Sequence, residues 1–587
     1  MVNRIAVLDK EKCHPDKCGW LCFRKCPINL DEKECIIQDL KNVKIDEKLC
    51  VGCNICVRIC PFNAIKIINL PEELKEEPIH RFGLNSFRLY GLPRPKKNVI
   101  TGILGRNGIG KSTALNILAG QFIPNLGNFE DETKDYEKII DKYSNSYLGE
   151  YFSDFKNKKV SYKPQRVELL TGIYDGLVKE LLEKVDERKI FKEISKDFDI
   201  DTLIDRKLLD LSGGELQKVA IAATLMKDAD VFYFDEPMTF LDVVTRMQAA
   251  RIIKKYTKDK SCIVVEHDLT SLDYISDEIQ IVYGVASAYG IFSGAKSVKR
   301  GINDYLDGQL PEENVRFRDY EIKFSHIAET KDVRKDLVFE YSNLVKKYDD
   351  FELKISSGKI FKGEVLAIMG ANGLGKSTFL KLIAGLEKPD QGEIKKIEYS
   401  YKPQILIQNV DKTVKEFLLD QKVDMSSGWY KQNILEKLGL DNIMLNKIKD
   451  LSGGELQKMY IAITLSKQDV DLFLFDEPSA FIDVEDRLKV AEIIKEFTIK
   501  KEVATIVVDH DVQFIDCLSD SLLVFSGVSG KKGFVEKSLG KKEGMNKVLE
   551  LLDITYRVDK HSGRRRINKL GSVLDKEQRK KGEYYYI

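Results

Sequence analysis

The 587-residue chain has no apolar run approaching the length of a membrane-spanning helix. Its longest candidates, such as Ile506-Val507-Val508, are strand-sized. It has almost no net charge: 94 Lys and Arg stand against 93 Asp and Glu, a formal +1. No basic field therefore surrounds the whole chain, and any contact with nucleic acid is left to local patches. The opening Met1-Val2-Asn3-Arg4-Ile5-Ala6-Val7-Leu8-Asp9-Lys10 is broken by charge too early for a secretory signal, so the expected compartment is the cytoplasm. Beyond residue 60 cysteine nearly disappears, leaving only Cys262 and Cys517. A long chain of this kind is not expected to rest on a disulfide framework. With 43% hydrophobic and 32% charged residues it reads instead as a globular protein, and its length suggests three or four domains.

The other nine cysteines crowd the start: Cys13, Cys18, Cys22, Cys26, Cys35, Cys50, Cys53, Cys56 and Cys60. Clustered thiols in a reducing compartment read as metal ligands. Cys50-x2-Cys53-x2-Cys56-x3-Cys60-Pro61 is the bacterial ferredoxin spacing for a [4Fe–4S] cluster, in which the fourth cysteine serves a second cluster. A second run does precede it, Cys13-x4-Cys18-x3-Cys22-x3-Cys26-Pro27. Two clusters are expected, one on Cys50, Cys53, Cys56 and Cys26, the other on Cys13, Cys18, Cys22 and Cys60. Cys35 is left over as a buried free thiol. A pair of zinc sites fits less well, because such sites join Cys-x2-Cys pairs across a longer gap. Residues 1–75 are too few for a large core, so the clusters can serve as staples.

The remainder is an internal repeat. Gly105-Arg106-Asn107-Gly108-Ile109-Gly110-Lys111-Ser112-Thr113 and Gly370-Ala371-Asn372-Gly373-Leu374-Gly375-Lys376-Ser377-Thr378 both fit G-x4-G-K-[ST]. Each follows an apolar strand-like stretch and precedes an amphipathic helical one, the context a phosphate-binding loop requires. The glycines let backbone N–H groups wrap phosphates at a helix N-terminus. Lys111 and Lys376 reach the β- and γ-phosphates, and Ser112 and Ser377 offer a hydroxyl to Mg²⁺. Four further signals recur in the same order: Tyr162-Lys163-Pro164-Gln165 as Tyr401-Lys402-Pro403-Gln404; Leu211-Ser212-Gly213-Gly214-Glu215 as Leu451-Ser452-Gly453-Gly454-Glu455; Phe234-Asp235-Glu236-Pro237 as Phe475-Asp476-Glu477-Pro478; and Glu266-His267-Asp268 as Asp509-His510-Asp511. A single carboxylate or histidine in such a strand is usually a satisfied core residue; two ordered copies reverse that expectation.

This set resembles the ATP-binding-cassette (ABC) superfamily over about residues 80–535, and Leu-Ser-Gly-Gly separates it from other P-loop ATPases. The resemblance implies two composite ATP sites, each pairing one domain's P-loop with the other's signature, within a monomer. Asp235 and Asp476 then project toward Mg²⁺, and Glu236 and Glu477 polarise the attacking water. His267 and His510 are the switch histidines, Gln165 and Gln404 the Mg²⁺-sensing Q-loop residues, and Asp242 and Asp483 the D-loop residues. Ser212, Gly213, Gly214 and Glu215 in one copy, and Ser452, Gly453, Gly454 and Glu455 in the other, face ATP from across the seam. The family stacks adenine on an upstream aromatic residue, for which Phe82 and Phe87, and Tyr348 and Phe351, are the candidates.

The copies differ in spacing. Lys111 and Gln165 are 54 positions apart, Lys376 and Gln404 only 28, whereas the later intervals agree. The first cassette therefore carries an insertion near 127–158, expected as a charged helical excursion that is either a tolerated loop or a docking element. After each cassette a similar segment follows: Gly301, Asn303 and Leu306 recur as Gly544, Asn546 and Leu549. From Tyr556 to Ile587 ten Lys/Arg face four Asp/Glu, which suggests an ordered basic surface for nucleic acid or for the partner domain.

Twin cassettes behind two Cys-Pro runs, with repeated hinges and the ending Lys581-Gly582-Glu583-Tyr584-Tyr585-Tyr586, resemble ABC subfamily E, the RNase L inhibitor family of archaea and eukaryotes; the short hinges fit an archaeal member. The fold class expected is α/β: two tandem P-loop ABC nucleotide-binding domains preceded by a small α+β ferredoxin-like two-[4Fe–4S] domain. The divisions are 1–75, 76–299, a hinge at 300–330, 331–540, and a second hinge with the C-terminus at 541–587. The resemblance implies a ribosome-recycling ATPase. It would bind the small ribosomal subunit and its rRNA, a class I release factor or its stalled-ribosome relative, and initiation factors, but no membrane. The insertion would be a helix–loop–helix that contacts rRNA together with the hinges. Small departures stand at Arg106 and Ala371, where many cassettes have proline, at Ala480 and Ile482 near the second D-loop, and at Phe82. A transporter half would leave the cysteine domain unexplained, and a redox enzyme would lack a flavin or nicotinamide fingerprint.

Overall fold

The structure, a computed structural model, describes residues 4–39, 41–69, 77–130, 136–324 and 336–585. Asp131 and Glu132 of the insertion, residues 325–330 of the first hinge, the expected boundary at 75/76 and Tyr586 lie outside the described residues.

Each cassette is built on a nine-stranded sheet, and the two sheets have the same strand order. In the first, Ile100–Leu104 lies between Ser261–Val265 and Glu278–Val285, with Val231–Asp235 and Val160–Lys163 beyond, all parallel. In the second, Val365–Met369, Ala504–Val508, Leu472–Asp476, Tyr399–Lys402 and Ser521–Val528 repeat that arrangement. The three central strands of each sheet are buried at every position, because helices cover both faces. That is why their sequences are mostly apolar, with a carboxylate only at the end of Val231–Asp235 and Leu472–Asp476. Among the described residues no helix is long and apolar enough to cross a membrane.

The insertion forms two helices, Tyr136–Lys142 and Tyr147–Ser153. It is less of an excursion than its charges suggest, since Ile139, Leu148, Tyr151 and Phe152 are buried against the cassette. Tyr151 Oη is 2.7 Å from the Leu118 carbonyl and 2.8 Å from Tyr233 Oη, and the Phe155 ring fills the space beside Gly120.

The N-terminal domain pairs Arg4–Leu8 with Ile65–Asn69 and Ile36–Gln38 with Val43–Ile45, around short helices at Leu21–Lys25 and Ile55–Ile59. Asn85 of the first cassette pins it. This buried residue, at φ 54°, donates to the carbonyls of Ala6 (3.2 Å) and Ile45 (3.0 Å) and accepts from Ile45 N–H (2.9 Å). Asparagine tolerates that left-handed backbone better than most residues. Glu47 adds ion pairs to Arg81 (3.4 Å) and Arg88.

The two hinge segments reach across. After the first cassette come the helix Val298–Asp307 and a hairpin of Gln309–Leu310 with Val315–Arg316; after the second come the helix Lys541–Leu551, a hairpin of Tyr556–Val558 with Arg565–Ile567, and the helix Val573–Lys581. The second hairpin sends Arg564 and Arg566 to Asp273 of the first cassette (3.4 and 3.1 Å). Arg565 approaches Asp516 (3.4 Å), and Tyr556 Oη meets Thr270 Oγ1 (3.1 Å). Arg564, Arg565 and Arg566 are all buried, so the arginine run is an inter-cassette clamp here and not an exposed surface for nucleic acid. The first hinge answers by sending Arg318 and Tyr320 to Glu485 of the second cassette.

Candidate functional site: two facing nucleotide pockets and a cysteine domain

Ile100–Leu104 runs into the loop 105–110 and then the helix Lys111–Leu118; the second copy uses Val365–Met369 and Lys376–Ile383. Gly110 and Gly375 begin these helices at φ 93°. A Cβ on Gly110 would stand 2.7 Å from the Phe87 ring, and one on Gly375 would stand 3.0 Å from Phe351. Only glycine lets the loop turn this tightly beneath an aromatic ring. Lys111 Nζ donates to the Gly105 and Arg106 carbonyls (2.9 and 2.7 Å), and Lys376 Nζ to those of Gly370 and Ala371 (3.0 and 2.7 Å). Burial lowers the pKa of both ammonium groups, that of Lys376 to about 8.

At the end of a buried strand Asp235 and Asp476 point toward these loops. Both carboxylate oxygens of Asp235 and Oδ1 of Asp476 are buried without a hydrogen-bond partner among the described residues. Burial raises both acids, Asp235 to about 6. The next residues, Glu236 and Glu477, take left-handed backbone at φ 45° and 49°, an uncommon conformation for glutamate. Their N–H groups are tied to the Val265 and Val508 carbonyls (3.0 and 2.8 Å). His267 Nε2 stands 3.5 Å from Glu236, and His510 Nε2 stands 3.4 Å from Glu477. Burial alone would favour the protonated acid, but His267, Lys111 and Gln165 outweigh it and hold Glu236 at about 2. Glu477 is lowered in the same way. Burial, and then Lys111, depresses the pKa of His267, while Glu236 opposes them. Both ring nitrogens of each histidine lack a hydrogen-bond partner.

Buried polar atoms are nearly always paired, so this convergence marks a binding site. A serine hydroxyl, an aspartate carboxylate and a glutamine side chain make an oxygen-rich set suited to a hard cation such as Mg²⁺. Gln404 already lies in place, donating to Glu477 Oε1 (2.7 Å).

Three groups escaped the sequence reading. Lys163 and Lys402, both buried, donate to the carbonyls of Asp235 and Glu236 (2.9 and 3.2 Å) and of Asp476 and Glu477 (2.7 and 3.0 Å). They brace the strained strand ends, and burial lowers each to about 8. Gln217 Nε2 adds a further bond to the Glu236 carbonyl (2.8 Å). Glu266 accepts from the N–H groups of Met238 and His267 (3.1 and 3.0 Å), where Asp509 accepts from those of Ser479 and His510 (3.0 and 2.7 Å). Lysine inside a Tyr-Lys-Pro-Gln repeat was the available signal.

The halves meet across one cavity of about 1060 Å³. Asn107, Gly108, Gly110, Lys111, Ser112 and Thr113 line it together with Ser452, Gly453 and Gly454; Ser212, Gly213 and Gly214 line it beside Asn372. Glu236, His267, Gln165, Glu477, His510 and Gln404 also reach it, as do Phe82 and Phe87. Gly373, Gly375, Lys376, Ser377 and Thr378, in the loop and helix start of the second copy, do not line this cavity. Asp242 Oδ2 accepts from Asn372 N–H across the seam (2.8 Å) while Oδ1 caps its own helix through Thr245 N–H (2.8 Å). Asp483 caps its helix through Asp486 N–H (3.1 Å). The Phe240 and Phe481 rings meet edge to face at 5.6 Å, and a Cβ on Gly214 or Gly454 would press on the Phe240 or Phe481 carbonyl at 2.9 or 2.8 Å.

Two expected contacts differ. Glu215 and Glu455 do not line the cavity: each carboxylate folds back on its own helix start, accepting from Ser212 N–H and Oγ (2.8 and 2.7 Å) or Ser452 N–H and Oγ (2.9 and 2.7 Å). They complete capping boxes that aim the serine. Tyr348 and Phe351 also stay off the cavity, with Tyr348 Oη bonded to Glu387 and Phe351 packed on Gly375.

In the N-terminal domain the thiols sort into two neighbourhoods. Cys60 is a charge neighbour of Cys13 and Cys22, alongside Cys18, and belongs with the first run. Cys26, Cys50, Cys53 and Cys56 line one small cavity. The last cysteine of each run thus lies among the thiols of the other run, and four thiolates are the donor chemistry of a [4Fe–4S] cluster. Cys35 is buried, yet it lines the second cavity beside Cys26 and Cys50.

The ABC transporter family model matches residues 95–239 and 353–480, and that of the 4Fe-4S binding domain matches residues 43–66. The chain is 46% identical over 592 residues, all of its length and 98% of the relative's, to an ABC transporter ATP-binding protein of Methanocaldococcus jannaschii. Among solved structures it is similar to ABCE1 in a model of ribosome-bound archaeal Pelota and ABCE1, with a TM-score of 0.93 and 47% identity over the whole of both chains. It is also similar to the archaeal ribosome recycling factor aABCE1 in complex with ribosomal stalk protein aP1, with a TM-score of 0.83, 46% identity, and coverage of 88% of this chain and all of that one. The paired cassettes, the crossed cysteine sets and these full-length likenesses agree: the chain belongs to ABC subfamily E, the RNase L inhibitor family of iron–sulfur ABC ATPases.

Proposed function

We propose that the chain is an ATP-driven ribosome recycling factor that splits ribosomes into subunits after termination or stalling and remains on the small subunit. The observation that carries this reading is the full-length likeness to ABCE1 of the ribosome-bound Pelota structure. The partners are the small subunit with its rRNA, a Pelota-like factor or class I release factor, a stalk protein of the aP1 kind, and initiation factors; the compartment is the cytoplasm.

In each pocket the P-loop N–H groups and Lys111 or Lys376 hold the phosphates. Ser112, Asp235 and Gln165, or Ser377, Asp476 and Gln404, would hold Mg²⁺, which when bound neutralises charge developing on the transferred phosphoryl group. Glu236 and Glu477, ionised at neutral pH, orient and polarise the attacking water. His267 and His510 would turn a ring nitrogen toward the γ-phosphate. Ser452 or Ser212 closes the pocket from the opposite cassette, and Phe82 and Phe87 offer adenine an apolar wall in the first pocket. ATP contacts both cassettes only when they are together, so it favours the closed state and hydrolysis releases it. Asn85 and Glu47 make the cluster domain move with the first cassette.

The test is co-sedimentation of the purified protein with ribosomal subunits in a non-hydrolysable ATP analogue, in ADP and without nucleotide. Small-subunit binding that requires the analogue, and subunit release that requires Glu236 and Glu477, are expected. No association with either subunit in any state would overturn the proposal.

A further inference from the structure

The two composite pockets are not electrostatic copies. The first variable P-loop residue is Arg106 in the first cassette and Ala371 in the second. The second residue of the helix after the D-loop is Glu485 in the second cassette and Val244 in the first. These positions face each other in trans. The two charged residues therefore meet at one pocket, and the two uncharged ones belong to the other. Arg106 Nε lies 3.8 Å from Glu485 Oε2.

Glu485 is 2% exposed at its side chain, a costly place for a carboxylate unless cations surround it. Its Oε1 accepts from Lys489 Nζ (2.9 Å) and Tyr320 Oη. Among the described residues its Oε2 accepts no hydrogen bond, although Arg318 Nη1 stands 3.6 Å away and Arg106 just beyond. Arg318 is itself locked: Nη2 donates to the carbonyls of Tyr305 (2.6 Å) and Leu306 (2.5 Å), and Nε to that of Tyr320 (2.9 Å). It thereby holds the end of the hinge helix Val298–Asp307. One buried carboxylate joins the P-loop of the first cassette, the D-loop helix of the second, and the first hinge, and it keeps one oxygen free for a cation that can still move. Arg106, half exposed at 51%, is that cation.

We propose that Arg106 and Glu485 form a one-sided latch. As the first pocket closes, the Arg106 guanidinium completes the coordination of Glu485 Oε2, so that closure there, and not at the second pocket, is transmitted to the first hinge and holds nucleotide longer. Arg106 acts as a positioning residue. The inference rests on the two composite pockets of the proposed mechanism.

The test compares release of a fluorescent ADP from each pocket, the other being silenced by Lys376→Ala or Lys111→Ala in its own P-loop, with amide exchange over residues 315–324. Arg106→Ala is expected to speed release from the first pocket about three- to fivefold, the range for a partly exposed ion pair, to change the second less than twofold, and to raise exchange in the hinge. Transplanting the latch, Ala371→Arg with Val244→Glu, is expected to slow release from the second pocket only when both substitutions are present. Equal changes at both pockets, or an unmoved hinge together with a silent transplant, would overturn the latch. Failure of either pocket to bind nucleotide at all would instead overturn the composite-site mechanism beneath it.

Discussion

Asp273→Asn is the most informative perturbation of the clamp between the cassettes. Asp273 is 3% exposed at its side chain and serves two arginines, Arg564 at 0% and Arg566 at 9%. Arg566 has a second carboxylate, Asp559, at 3.8 Å, whereas among the described residues Arg564 pairs with Asp273 alone. Asparagine keeps the shape and removes the charge, which strands a fully buried guanidinium. Breaking one partner of a buried pair costs about 3–5 kcal/mol. The hairpin Tyr556–Val558 with Arg565–Ile567 should therefore open about two to three and a half orders of magnitude more readily, since about 1.4 kcal/mol is a factor of ten. Native-state hydrogen exchange at Arg565–Ile567 reads that opening directly. Asp273→Leu combined with Arg564→Met, which removes both charges and keeps the volume, should recover most of the protection, because a buried pair and an apolar pair of like size are close in energy. Exchange that changes less than threefold in Asp273→Asn would refute the reasoning, since the arginine would then have needed no partner.

Four other outcomes are expected. Glu236→Gln and Glu477→Gln should each slow hydrolysis in their own pocket by about 10²–10⁴-fold while nucleotide still binds, as single-turnover assays with each variant would measure. Gly214→Ala drives a methyl against the Phe240 carbonyl at 2.9 Å and should weaken ATP-dependent closure by about 1–3 kcal/mol, visible in scattering with an ATP analogue. His561 of the second hinge, paired with Asp307 of the first at 2.7 Å, is raised above its ordinary 6.5 by that hydrogen bond and charge. A raised histidine stabilises below its unfolded pKa, and that contribution disappears as pH climbs through the folded value; NMR titration should show the shift, and Asp307→Asn should abolish it. Cys60→Ala should destroy the cluster of the first cysteine run while sparing the one on Cys50, Cys53 and Cys56, which electron paramagnetic resonance of the reduced protein can distinguish.

The P-loop sequences, the adjacent Asp-Glu pairs, the histidines after the next strand and the two cysteine runs were legible as patterns because each is local, its spacing set by one turn or one strand end. Repetition made them unambiguous, and unequal spacing located the insertion. The fate of the arginine run was not legible: only the fold brings Asp273 and Asp516, hundreds of residues earlier or dozens earlier, against Arg564–Arg566. Net charge counted along the chain cannot see counter-charges contributed by another domain. The buried Lys163 and Lys402 were hidden for a related reason, since a lysine beside a proline reads as a solvated loop until the neighbouring strand supplies its carbonyls. Tyr348 and Phe351 hold the matching place in the second copy: Phe351 packs on Gly375 as Phe87 does on Gly110, and Tyr348 Oη bonds Glu387.

The crossed hinges have a consequence for how the molecule can be divided. Each half lends its C-terminal arm to the other: Arg318 and Tyr320 reach Glu485, while Arg564 and Arg566 reach Asp273. In the language of oligomers this is reciprocal arm exchange, the arrangement of a swapped dimer written on one chain. The covalent connection then supplies local concentration and not the contacts themselves. Halves produced as separate chains retain every group needed to recognise one another, and should reassociate in a concentration-dependent way that salt weakens at the exposed rim more than at the buried arginines.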